Sequence, residues 1–181
     1  MRPTNFTPLD LFNYDISPEQ GFLPSDPLEQ VPDSLVLNHL GQELPKLLSA
    51  RRVRQFIDGQ RQLLPSIPTT WRAQDYRAAM RILSFAGHAY VWEVPERPAA
   101  TLPAQLAQPW YDVALKLGRP PVLSYASYAL DNWRRLDSAK PIQLDNIVLL
   151  QNFLGGLDVE WFVAIHVQIE RQAGPGLAGL I

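Results

Sequence analysis

The 181-residue chain reads as an all-α protein, and three observations carry that reading. Apolar residues recur at helical spacing through most of its length. No segment shows a convincing alternation of period two. The 17 prolines, a high count for this length against an average of about 5%, gather between the periodic segments and punctuate helix starts and stops. With 46% apolar residues and five Trp the composition is globular, and the length suits about one domain with a real core.

Residues 1–33 form an extended, proline-rich arm in this reading. Pro3, Pro8, Pro18, Pro24, Pro27 and Pro32 fix φ and lack a donor N–H, so no long helix fits. Phe6, Leu9, Leu11, Phe12, Tyr14, Ile16, Phe22, Leu23 and Leu28 are too many large apolar groups to leave in water, so the arm is expected to lie on a folded body. From Ser34, Leu35, Leu37, Leu40, Leu44, Leu47 and Leu48 predict a helix with Asp33 or Ser34 as N-cap, broken or kinked at Pro45. A second short helix is predicted over 51–64. The longest is predicted over 69–93, capped by Thr70, with Trp71, Ala78, Ile82, Phe85, Ala89 and Trp92 on the apolar face and Arg72, Asp75, Arg77 and Arg81 on the polar one. After a loop, 103–117 is a helix that Gly118 terminates. Pro120-Pro121 opens another helix through Trp133, 144–153 reads as helical, Leu154-Gly155-Gly156 breaks it, and Asp158 caps a last helix through Glu170.

The composition removes several classes of chemistry. Sixteen Lys and Arg against 18 Asp and Glu leave no basic footprint for nucleic acid. Zero Cys removes disulfides, thiolate catalysis and Cys-ligated metals, so any haem here needs a His ligand. No apolar run approaches the roughly 18 residues of a membrane span, and the first residues lack the apolar core of a signal peptide, so the expectation is a cytoplasmic protein. There is no phosphate loop, nucleophile elbow or zinc-helix motif. What remains is a set of histidines and aromatics. His166 lies in a helix apolar on nearly every side and is expected to be buried, either as a core imidazole bonded to a carbonyl or as the wall of a ligand pocket. His88 is expected in the core and His39 near the surface. Tyr125 and Tyr128, three residues apart on a helix, share a face, which suits either core packing or the wall of an aromatic site.

Several blocks together resemble the indoleamine 2,3-dioxygenase family. They are Ile16-Ser17-Pro18-Glu19-Gln20-Gly21-Phe22-Leu23 with Asp26-Pro27-Leu28, then His88-Ala89-Tyr90-Val91-Trp92, then Pro120-Pro121-Val122-Leu123-Ser124-Tyr125-Ala126 with Asn132-Trp133, and Trp161-Phe162 through Glu170. They occur in family order and span almost the whole chain. The resemblance implies an all-helical haem protein: a small domain over 34–153 and, over 154–181, the start of a larger haem domain that is incomplete here. It implies haem b as cofactor, O₂ and tryptophan or a related indole as substrates, and insertion of both oxygen atoms across the indole C2–C3 bond to give N-formylkynurenine. By motif match, Tyr125, Tyr128, Ala129, Phe162 and His166 line the substrate pocket, and Phe162 and Ala129 face the haem. Tyr128 stands where mammalian members carry a smaller residue. His166 stands where they carry serine and where the related tryptophan 2,3-dioxygenases carry a histidine aimed at the indole N–H. That makes His166 the expected catalytic group, by hydrogen bonding to substrate.

The family's proximal haem histidine, and the arginine that pairs with the substrate carboxylate, belong to its C-terminal half. No metal ligand is therefore expected within these residues, and the apolar ending Leu177-Ala178-Gly179-Leu180-Ile181 suggests a piece whose partner is a C-terminal half or cleaved fragment. Two other readings stay open: a haem mono-oxygenase acting on indoles in secondary metabolism, and a non-catalytic helical binding module.

Overall fold

The computed structural model describes residues 11–14, 16–94 and 97–179. Pro3, Phe6, Pro8, Leu9, Pro95, Leu180, Ile181 and the side chain of Phe12, on which expectations above rest, lie outside the described residues.

The first helix, α1 (Leu35–Ser49), buries Leu37, Leu40 and Leu44 on one stripe. Pro45 lies inside it and does not break it. A proline at that position removes the bond to the carbonyl four residues back, which is Gly41. The Gln151 Nε2 amide donates to that same oxygen at 2.9 Å, so the freed acceptor is satisfied from outside the helix. The second helix, α2 (Val53–Asp58), is shorter than the apolar pattern suggests, because Leu63 and Leu64 are buried from coil rather than from a helix. Its first turn is capped by a distant carboxylate. Glu93 accepts from the Val53 N–H at 2.6 Å and the Arg54 N–H at 3.1 Å.

The third helix, α3 (Ala73–Val91), starts later than expected. Thr70 does not cap it. The Asp75 carboxylate instead reaches back to accept the Arg72 N–H at 2.7 Å. The fourth, α4 (Ala104–Leu117), ends where predicted, with Gly118 in the left-handed region at φ 63°. These four helices enclose one apolar cluster that includes Leu40, Ile57, Met80, Phe85, Leu106 and Trp110.

Between 120 and 153 the expected helices do not form. The segment makes a π-helical turn (Ala126–Leu130), then β1 (Trp133–Arg135) and β2 (Ile147–Leu149), which pair antiparallel with Trp133 opposite Leu149 and Arg135 opposite Ile147. The reason is local. The β-branched pair Ile147-Val148 favours an extended backbone. The Asn146 side chain then closes the loop between the strands, donating to Asp137 O and Pro141 O and accepting from the Asp137 N–H.

The fifth helix, α5 (Leu157–Gly179), runs well past Glu170 and through Pro175, with Asp158 inside its first turn rather than before it. It packs against a second cluster formed by Leu23, Ala129, Trp133, Ile142 and Ile147, to which it contributes Val163, Ala164 and Val167. Tyr128 touches both clusters and is the seam between them. Of the N-terminal segment, Leu23 and Val31 are buried, whereas Phe22 is 48% and Tyr14 61% exposed. Its turn at Ser17–Gly21 lies directly on α5: a Cβ on Gly174 would sit 2.6 Å from the Gly21 nitrogen. The fold is all-α apart from the one two-stranded ribbon.

Candidate functional site

Four of the residues singled out in sequence converge at the junction of the π-helical turn and α5. Phe162, His166 and Glu170 are spaced by four, so they form one stripe of α5. The His166 ring lies 4.1 Å from the Phe162 ring, tilted by 38°, and meets the Tyr125 ring edge-on at 5.8 Å. Tyr128 meets Phe162 edge-on at 6.2 Å from one side and stacks on Phe85 at 5.7 Å from the other. Tyr128 is thus braced by the first apolar cluster while its own ring braces Phe162. Ala129 is fully buried inside the second cluster, closed to solvent behind this face.

The His166 Nδ1 lies 2.7 Å from the Phe162 carbonyl oxygen. A carbonyl only accepts, so Nδ1 carries the proton and, in the neutral ring, Nε2 is left as a lone-pair acceptor. No described residue bonds to that Nε2. Tyr125 donates its hydroxyl to Glu170 Oε1 at 3.2 Å. Desolvation, with the Glu170 carboxylate beside it, pushes the Tyr125 phenol up to about 12, so it keeps its proton through the neutral range.

The expectation that the last helix is buried on nearly every side is not met. Its buried residues are Val163, Ala164, Val167 and Gly174, whereas Trp161 is 58% and Phe162 49% exposed. His166 is accordingly half-buried rather than enclosed. Tyr125, 43% exposed, joins this solvent-facing surface through its contact with His166.

The π-helical turn that aims Tyr128 is held by groups the sequence reading passed over. Asn132, wholly buried, donates to Tyr128 O at 3.0 Å and Gln151 O at 2.8 Å, and accepts from the Gln151 N–H. Asp131 pairs with Arg119 at 2.9 Å. Arg81 donates to Asp131 O at 2.7 Å and to the carbonyls of Leu28 and Glu29. Arg81 was expected on the polar face of α3, yet it is buried, as are Asp131 and Asn132. Burial pulls the Arg81 guanidinium down to about 10, against the opposing pull of Asp131 and Glu29, and it stays cationic at neutral pH. A signal for it was present: Ala78, Arg81, Ile82 and Phe85 follow the spacing of a core stripe, so the arginine stood among buried positions all along.

The remaining histidines do different work. His88 is half-buried on α3, its Nε2 accepts the Leu123 N–H at 3.3 Å, and desolvation lowers its pKa. It lines an apolar cavity of about 350 Å³ with Leu48, Trp92, Leu123 and Phe153. His39 is exposed, as expected, beside Phe56. Among the described residues no cluster of three or more His, Cys, Asp or Glu is arranged to hold a metal ion, and no helix is long and apolar enough to cross a membrane.

The fold and this face define a helical scaffold that presents an aromatic surface with one free acceptor, chemistry that suits a flat apolar ligand bearing an N–H. The chain belongs to the indoleamine 2,3-dioxygenase family, whose sequence profile matches residues 10–181. It is 33% identical over 176 residues to human indoleamine 2,3-dioxygenase 2, covering 96% of this chain and 43% of that protein. The indoleamine 2,3-dioxygenase of Saccharomyces cerevisiae is 32% identical over 178 residues, 94% of this chain and 39% of its own. One from Aspergillus candidus is 30% identical over 186 residues, 93% of this chain and 43% of its own. The chain therefore spans about two fifths of the length of the curated relatives it matches.

Proposed function

We propose that this chain forms the small domain and first large-domain helix of a haem-dependent dioxygenase that converts tryptophan or a related indole to N-formylkynurenine. The observation that carries the reading is the grouping of Tyr125, Tyr128, Phe162 and the free Nε2 of His166 on one open face. The family membership supports the reaction class, and the relatives' names give the reaction as a dioxygenation of an indoleamine.

The described residues fit the distal side of a haem rather than its axial ligation. The exposed aromatic stripe of α5 suits a flat macrocycle, and Phe162 is the residue that would lie against it, with Ala129 behind. The Nε2 of His88 is already taken by the Leu123 N–H. By the family resemblance, the histidine that would hold the haem iron belongs to the additional length that the relatives possess, and residues 154–181 would open the domain that supplies it. When bound, haem b supplies the redox chemistry that activates O₂. The chain's own residues do the rest. The Nε2 of His166 accepts the indole N–H, which orients the ring and favours electron density at its C2–C3 bond. Phe162 and Tyr128 flank the ring plane, and Tyr125 closes the edge.

The test is product analysis with the full-length, haem-loaded protein, tryptophan, O₂ and a reductant. N-formylkynurenine is the expected product, reduced at least tenfold by His166→Ala. A hydroxylated indole in its place would overturn the dioxygenase reading in favour of a mono-oxygenase. No turnover of any indole by a correctly loaded protein would favour a binding module.

A further inference from the structure

We propose that Glu170 is a positioning residue: by accepting the Tyr125 hydroxyl proton it pins the Tyr125 ring edge-on to His166, which locks the imidazole with Nδ1–H on the Phe162 carbonyl and Nε2 outward. The inference rests on the reading of His166 as the group that faces substrate.

The two rings that confine His166 are held differently. Phe162 sits one turn earlier on α5 and moves with the histidine. Tyr125 comes from the start of the π-helical turn, a different element, and is 43% exposed. Packing alone grips it on one side only. Its bond to Glu170 Oε1 at 3.2 Å is the hydrogen bond that ties its ring to α5. Glu170, one turn beyond His166, is the position on the same stripe from which a side chain reaches that hydroxyl. Without the tether the Tyr125 ring is free to swing off the histidine. The imidazole then gains room to rotate about χ2, leave the Phe162 carbonyl and adopt the Nε2–H tautomer that free histidine prefers in water. That tautomer presents a donor where the indole N–H needs an acceptor. The bond also occupies the Tyr125 proton, so that hydroxyl does not compete as a donor beside His166.

The experiment is histidine ring ¹⁵N–¹H correlation spectroscopy on the labelled 181-residue chain, with His39, His88 and His166 assigned by substitution. It needs neither haem nor indole, so its outcome is independent of the product assay. The expected result is an Nδ1–H tautomer for His166 in the parent and in Glu170→Gln, whose amide oxygen still accepts. Glu170→Ala and Tyr125→Phe should show a mixture of tautomers. The His88 signal, with Nε2 held by the Leu123 N–H, reports that the fold is intact. If Glu170→Ala disturbs that signal, Tyr125→Phe carries the test, because it removes one oxygen and keeps the ring. A mixed tautomer in the parent, or an unchanged His166 in both tether-breaking variants, overturns the proposal.

Discussion

Helices α3 and α5 look alike as strings of residues and behave differently in the fold. Both are long, at 19 and 23 residues, and both contain a stretch that is apolar nearly all round, residues 83–91 in α3 and 161–169 in α5. Twelve residues of α3 are buried, from Asp75 to Ala89, because α1, α2 and α4 surround it. Four residues of α5 are buried: Val163, Ala164 and Val167 where it meets the second cluster, and Gly174 where it meets the N-terminal turn. Apolar composition therefore reports how much surface a helix needs to cover, and says nothing of whether the cover lies within the same stretch of chain. On α3 Phe85 is packed into the core; on α5 Trp161 and Phe162 are exposed.

The sharpest way to break this comparison is to truncate one phenylalanine on each helix. Phe85 is 1% exposed and packs on both Tyr128 and Phe153. Phe85→Ala is expected to cost about 3–5 kcal/mol, the usual penalty for emptying a packed aromatic site. Phe162→Ala removes a half-exposed ring and is expected to cost about 1 kcal/mol or less. Urea denaturation of both variants checks this. Equal losses would mean that the α5 face is as closed as α3, and the open site would be lost with it.

How much of this was legible in sequence follows the same division. The stripe on α1, the stop at Gly118 and the all-helical class came from periodicity and local stereochemistry, which act within a few residues. What periodicity could not see was set by groups far apart in the chain. Pro45 survives in α1 because Gln151 reaches its orphaned carbonyl. The segment from 120 to 153 turns into a π-helical turn and a ribbon because Asn132, Gln151 and Asn146 satisfy its backbone from outside any helix. At the candidate site, spacing and helix character single out Tyr125, Tyr128 and His166, and the family resemblance alone adds Phe162. Arg81 reads in sequence as part of the polar face of α3 although it stands at core spacing, and Glu170 reads as an ordinary charged helix end or a support for buried neighbours, with no partner assigned to it.

Glycines sharpen the contrast at a smaller magnitude. A Cβ on Gly87 of α3 would fall inside the Trp110 ring, so Gly87→Ala is expected to cost about 1–3 kcal/mol through overpacking. A Cβ on Gly176 of α5 meets nothing within 4 Å. Gly176→Ala should stabilise by about 0.5–1 kcal/mol, the ordinary gain of alanine over glycine within a helix. Thermal unfolding of the pair reads both signs. Gly174→Ala separates the two edges of α5: its Cβ would sit 2.7 Å from the Gln20 nitrogen, so the N-terminal turn must lift while the aromatic face stays intact. Faster proteolysis near residues 16–23, with the His166 tautomer unchanged, is the expected result.

The smallest effect distinguishes the two histidines themselves. Both neutral rings place their proton on Nδ1 and keep a lone pair on Nε2, but on α3 that lone pair is taken by the Leu123 N–H and on α5 it is free. Desolvation lowers the His88 pKa below its ordinary 6.5, so folding favours the unprotonated ring. The unfolded chain then binds more protons than the folded one wherever the pH lies below about 6.5 and above the depressed native value, and stability must rise with pH across that window. The contribution is complete above the ordinary value and is lost as pH falls through the window, which is the opposite slope to a histidine held by a carboxylate. His88→Gln should flatten this part of the stability–pH profile. His166→Gln is the control and should leave it in place. A profile that follows His166 rather than His88 would reverse the assignment of which helix is core and which is site.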